Sequence, residues 1–302
     1  MKEDIKLSHR GKIIKDLVAL FNKNEALRSK FAAGGENPVP EKEYKYSDIY
    51  DVEYVSLENC RAEFIKPKSD AAKWIIIQLH GGGYVGGLKN SYRNLAGLYS
   101  EMGNGAAVLS LDYRLAPDYV FPAALEDALA AYDWALDRGY SEEEIILAGD
   151  SAGGGLALGL CHYLKDNGRQ MPRAVIAMSP WADLTGSGDS YKDNIEIDPV
   201  FGSRPEVVIG STYVGEDSAD NPYISPLFGD FEGFPALLIQ VGTDEMLLSD
   251  SRSVREKAVT AGVSVEYTEY QGMFHVFQMA GKLMPESKQA WEQVGEFITG
   301  LK

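Results

Sequence analysis

The chain has 302 residues, with 45 acidic side chains against 29 basic and a formal charge of −16 near neutrality. A surface that displaces counterions from phosphates needs clustered Lys and Arg, so nucleic acid and anionic membranes are excluded as expected partners. An apolar content of 45% and a charged content of 25% describe an ordinary folded chain, long enough for one large α/β domain or two small ones.

Cys60 and Cys161 form neither a disulfide framework nor a ligand spacing, so no metal is expected. The first 24 residues are charged throughout and lack a signal-peptide core, and no apolar run reaches the ~18 residues of a membrane span. The expectation is a cytoplasmic protein.

In chain order, apolar residues at Ile13, Ile14, Leu17, Leu20 and Phe21 recur every three to four positions and predict an amphipathic helix over 8–32. The polar stretch GGENPVPEKE ends it. Val52–Ile65 reads as two short strands around a turn. Strands then alternate with helices: strand Trp74–Leu79, helix Ser91–Met102, strand Ala106–Leu111, helix Pro122–Asp137, strand Ile145–Leu147, helix Ala152–Lys165, strand Ala174–Met178. Their unbroken apolar runs suit parallel strands covered on both faces. From Leu184 to Ile224 the alternation stops, with one helix expected near Arg204–Tyr213. It resumes with strand Ala236–Val241, helix Ser251–Ala261, strand Val263–Tyr270 and helix Lys288–Leu301. The order implies a mostly parallel sheet with helices on both faces, interrupted once.

Gly149-Asp150-Ser151-Ala152-Gly153 lies between a strand and a small-residue helix. Flanking glycines allow a tight turn that lifts the Ser151 hydroxyl above the sheet, beside a helix N-terminus. An ordinary small-residue turn is the bland alternative. After the strand IIIQL comes His80-Gly81-Gly82-Gly83-Tyr84, whose glycines leave backbone N–H groups uncovered, as a developing oxyanion requires. A phosphate loop is disfavoured, because no Lys-Ser/Thr follows.

A serine nucleophile needs a base. His9 lies in the polar first helix, His80 in the glycine loop and His162 inside a helix, which leaves His275, in a loop after the last strand. The acid that holds its tautomer would come from Asp244 or Glu245, adjacent carboxylates after the strand ALLIQV and unable to face the same way. Serine, acid, histidine is the order of an α/β-hydrolase.

Together with Asp112-Tyr113-Arg114-Leu115-Ala116-Pro117, Phe121-Pro122-Ala123 and Glu126-Asp127, these motifs resemble the hormone-sensitive-lipase-like α/β-hydrolases, the bacterial carboxylesterases of that branch. The resemblance runs from about residue 50 to the C-terminus. It implies an α/β-hydrolase domain over 46–183 and 225–302, covered by a cap made of N-terminal helices within 1–45 and the insertion 184–224. It also implies Ser151 as nucleophile, His275 as base and acid, and an oxyanion hole from the amides of Gly82, Gly83 and Ala152. His80 would support its loop, and Tyr113, Arg114, Glu126 and Asp127 would brace the region beneath the serine. Where the family has Asp-Pro-Leu, this chain has Asp244-Glu245-Met246-Leu247. Aligning Leu247 with that leucine puts Glu245 in the acid's place, thirty residues before His275, with Asp244 as the alternative.

The expected activity is hydrolysis of short- to medium-chain carboxylic esters through an acyl-enzyme, without a cofactor. A deacetylase or amidase would use the same machinery, and a binding protein on a hydrolase scaffold is the reading from another class. The expected partner is a small-molecule ester, and the resemblance implies a homodimer or higher homo-oligomer, often joined near the late sheet edge. Most insertion aromatics and aliphatics (Tyr191, Ile195, Ile197, Val200, Phe201, Tyr213, Tyr223) are expected to form a small core rather than a pocket. Residues 1–45 carry ten basic and seven acidic side chains, and 184–224 carry two and eight. The two segments are therefore expected to face each other across the site, and neutral esters to be preferred over anionic ones.

Overall fold

The unbroken apolar runs are explained by a sheet with a core on each side. The computed structural model describes residues 7–25, 41–69, 72–208 and 211–301. It contains an eight-stranded sheet of order β1-β2-β4-β3-β5-β6-β7-β8. The strands are β1 Tyr50–Ser56, β2 Arg61–Pro67, β3 Ile75–Leu79, β4 Ala107–Asp112, β5 Ile145–Asp150, β6 Ala174–Met178, β7 Ala236–Gly242 and β8 Val265–Tyr270. The β1–β2 hairpin joins β4 antiparallel, and all later pairings are parallel.

Along β3, Ile75, Ile77 and Leu79 enter one core while Ile76 enters the other. The first core is closed by α3 (Ala123–Asp137), α4 (Ala152–Asp166) and α6 (Leu248–Thr260), with the single-turn α5 (Ser190–Asp193) between α4 and α6 in the chain. The second is closed by α2 (Asn90–Met102) and α7 (Pro285–Gly300), through Leu95, Tyr99, Trp291 and Phe297. Among the described residues, no helix is long and apolar enough to cross a membrane.

Three local features differ from the sequence expectations. The first helix, α1, covers His9–Lys23, and the rest of the predicted 8–32 helix beyond residue 25 lies outside the described residues. Its packed face is Ile14 and Val18, joined to a small cluster of Tyr270, Met273, Phe274 and Phe277, whereas Ile13, Leu17 and Leu20 are 46%, 58% and 64% exposed. Gly11 sets this rotation, because a Cβ there would lie 2.7 Å from the Glu286 carboxylate. Second, where a helix is expected near Arg204–Tyr213, the described residues form 3₁₀ turns at Pro205–Val208 and Thr212–Val214, and 209–210 lie outside the described residues. Buried Val208 and Tyr213 sit five residues apart, off a helical period, and Gly210 and β-branched valines favour helix weakly. Ser211 caps the second turn by accepting from the Tyr213 amide. Third, α6 and α7 begin three residues earlier than expected, and a 3₁₀ segment, Phe277–Leu283, precedes α7.

Helix α4 approaches β3 at Gly153, where a Cβ would lie 2.0 Å from the Leu79 carbonyl oxygen. Neither backbone can retreat. Gly153→Ala should therefore cost at least about 3 kcal/mol and lower the melting temperature by more than about 5 °C, as read by calorimetry. An unchanged melting temperature would refute this close fit.

Candidate active site

Ser151 sits between β5 and α4 with φ 51°, in the left-handed region. The bend needs glycine at both ends. A Cβ on Gly149 would lie 2.4 Å from the Gly153 carbonyl, and Gly153 faces Leu79 as described. The serine backbone is held by β6, whose Met178 carbonyl accepts from the Ser151 amide at 2.9 Å, while its own carbonyl accepts from Trp181 N at 2.9 Å. Ser151 lines a cavity of about 840 Å³, shared with Gly82, Gly83, Asp150, Trp181, and His275.

His275 lies five residues beyond β8. Its Nδ1 is 3.1 Å from Glu245 Oε1, and the Glu245 side chain is fully buried. Glu245 Oε2 accepts from Ser179 Oγ at 2.8 Å and from the Gly242 amide at 2.9 Å. Ser179 Oγ in turn accepts from Val276 N at 3.2 Å, so one hydroxyl ties the acid to the histidine loop. Asp244 points the other way, its carboxylate taken by Lys15 of α1 and by Thr243 Oγ1 at 2.8 Å. Of the two carboxylates, Glu245 is thus the one brought to the histidine.

The glycine loop packs against the serine turn. Gly82 and Gly83 have φ +115° and +64°. The Gly81 amide donates to Asp150 Oδ1 at 3.1 Å, and Tyr92 Oη donates to Oδ2 at 3.2 Å. Burial raises the Asp150 carboxyl to about 6 against these donors. The His80 ring stacks on Tyr113 at 4.1 Å, and its Nδ1–H donates to the Gly81 carbonyl at 2.8 Å. Burial lowers His80 to about 4, which keeps it neutral in a supporting position. Arg114 is 2.8 Å from buried Asp127 and 2.9 Å from Glu126, pinning the loop after β4 to α3. His162 packs on Phe231 and Phe234, far along α4, and His9 is exposed on α1.

Sequence reasoning missed the stitches between residues 184–224 and the acid loop. Asp198 accepts from the amides of Val200 (2.7 Å), Phe201 (2.9 Å) and Met246 (2.7 Å). Asn194 Nδ2 donates to the carbonyls of Thr243 (3.1 Å) and Glu245 (2.8 Å). These bonds set the Phe201 ring 4.6 Å from that of His275. Asp and Asn are so common in loops that no local signal marks them out. Of the insertion's apolar residues, Tyr191 and Tyr213 are core, Ile195 and Tyr223 pack against it, Val200 and Phe201 line the cavity, and Ile197 is exposed. Val18, Phe21 and Asn22 of α1 also line the cavity, and Asn22 Nδ2 donates to the Pro199 carbonyl at 3.1 Å.

A family model for the alpha/beta hydrolase fold matches residues 76–279. The chain belongs to the α/β-hydrolase family. Among relatives of this hydrolase is an acetyl-hydrolase of Streptomyces hygroscopicus, 37% identical over 81% of each chain. Another is an esterase of Acinetobacter venetianus, 36% identical over 82% of this chain and 81% of the relative. A solved esterase of the bacterial hormone-sensitive lipase family superposes with TM-score 0.82 at 33% identity, covering 95% of this chain and 97% of its own. The resemblance to that branch read from the motifs is thus shared by whole structures.

The raised Asp150 carboxyl has a signed consequence. Between about pH 4 and pH 6 the unfolded chain releases this proton while the folded chain keeps it. This group's contribution to stability is therefore lost as pH rises through that window, by up to about 3 kcal/mol. Asp150→Asn keeps an acceptor for Gly81 and cannot titrate. Urea unfolding should show a flatter dependence on pH from 4 to 7 in the variant than in the parent; equal slopes would refute the assignment.

Proposed function

We propose that this ester hydrolase works through an acyl-enzyme formed on Ser151. Attack of Ser151 Oγ on the ester carbonyl passes its proton to His275 Nε2. The amides of Gly82, Gly83 and Ala152 stabilise the oxyanion, and His275 then protonates the departing alcohol. Water, deprotonated by the same imidazole, releases the acid and regenerates the serine. Glu245 fixes the imidazole tautomer and stabilises its charged form. The observation that carries this reading is the 3.1 Å contact of fully buried Glu245 with His275, beside a serine in a strained turn on the same cavity.

The lid consists of α1 and residues 184–224, which supply an apolar lining through Val18, Phe21, Val200 and Phe201. Such a lining suits neutral esters of short to medium acyl chain. Removal of acetyl groups from a larger alcohol is the second reading, favoured by the relative named acetyl-hydrolase. The two unpaired cysteines fit a reducing, cytoplasmic setting, and the outer strand β8 offers the edge for a homodimer.

Rates on aryl esters from acetyl to decanoyl should peak at short to medium chains, and Ser151→Ala should abolish them. Glu245→Ala should lower kcat by about 10³-fold or more, and Asp244→Ala by about tenfold at most. The opposite ranking would move the acid to Asp244. A Ser151→Ala protein with parental turnover would end the acyl-enzyme reading.

A further inference from the structure

We propose that Lys15 of α1 is a positioning residue: its ammonium closes a hydrogen-bonded ring that holds the loops of Glu245 and His275 in register while α1 covers the cavity. The inference rests on the acyl-enzyme reading above.

The ring begins and ends at Gly272. The Gly272 amide donates to Thr243 Oγ1 at 2.8 Å, and that hydroxyl donates to Asp244 Oδ1 at 2.8 Å. Asp244 Oδ2 pairs with Lys15 Nζ, which also donates to the Gly272 carbonyl at 3.1 Å. Asp244 precedes Glu245 directly, and Gly272 lies three residues before His275, so both arms end beside a residue of the site. Two further bonds lace the loops, from Thr243 N to Tyr270 O (3.1 Å) and from Asp244 N to Met273 O (2.9 Å). Lys15 brings the bonds of α1, from outside the two loops, into this ring.

Lys15 suits this position chemically. An ammonium has three donors, enough for a carboxylate and a carbonyl at once, on a stem that reaches from a helix. The side chains of Lys15 and Asp244 are 17% and 23% exposed, so the pair is partly withheld from the water that weakens surface ion pairs. The same helix supplies Val18 and Phe21 to the cavity wall and is anchored at its start, where buried Glu286 accepts from the Ser8 amide. Seating the lid and ordering the acid–base pair are thereby one event. The second carboxylate of the Asp244-Glu245 pair gains a purpose as the lid's anchor.

The test is a double-mutant cycle with Lys15→Met and Asp244→Asn, assayed on a short neutral aryl ester. Each single variant should lower kcat by about tenfold with KM changed less than about threefold. The double variant should be no worse than either single, and Lys15→Arg should recover most of the loss. Hydrogen exchange should quicken at residues 243–246 and 271–276 in Lys15→Met and stay unchanged in β3 and β5. Unchanged kcat, a rise in KM alone, losses that multiply in the double variant, or exchange that quickens uniformly would each overturn the proposal. Failure of the acyl-enzyme reading looks different: the parent chain would show no turnover, or turnover that survives Ser151→Ala.

Discussion

A carboxylate with no exposed surface must be surrounded by donors, and meeting that requirement at Glu245 organises the C-terminal edge of the sheet. A buried anion left unpaired would cost several kcal/mol. Glu245 is met by an imidazole nitrogen, a hydroxyl and a backbone amide, each from a different segment. Ser179 follows β6 with φ 46°, and that unusual backbone aims its hydroxyl at both the carboxylate and the Val276 amide. Asn194 and Asp198 then grip the backbone of the acid loop from the opposite side. The demands of one anion thus fix four chain segments relative to each other.

The serine turn supplies the second constraint, a steric one. Because α4 nearly touches β3 at Gly153, the turn cannot relax without pushing apart strands whose faces are both covered. Strain at one residue is held in place by two cores. The neighbouring Asp150 works differently: its donors, Gly81 and Tyr92, hold the glycine loop against the turn, while burial makes its charge costly.

How much of this could be read from the sequence depended on how locally each feature is encoded. The strands were legible because burial on both faces leaves unbroken apolar runs, as in Ile75–Leu79. The serine turn and the glycine loop were legible because backbone geometry demanded glycine at neighbouring positions. Family spacing favoured Glu245 as the acid but left Asp244 open, because the direction of a loop side chain is not written in its spacing. Ser179, Asn194 and Asp198 were not legible, since their partners lie 66, 51 and 48 residues away and leave no local pattern. The exposed side of α1 was misleading for a physical reason: Ile13, Leu17 and Leu20 make as good a stripe as Ile14, Val18 and Phe21, and distant partners such as Glu286 beside Gly11 and Asp244 beside Lys15 choose between them.

The placement of α1 also has a consequence for biosynthesis. Its residues precede the surfaces it rests on by long stretches of chain: Pro199 and Val200, Asp244, Gly272, the Tyr270–Phe277 cluster and Glu286. On the ribosome the helix must wait, with its apolar residues uncovered, until the segment from Pro199 to Glu286 has emerged. This wall of the cavity is therefore assembled after the strands, and a chain interrupted between Tyr270 and Glu286 would hold its described strands with the start of α1 unanchored.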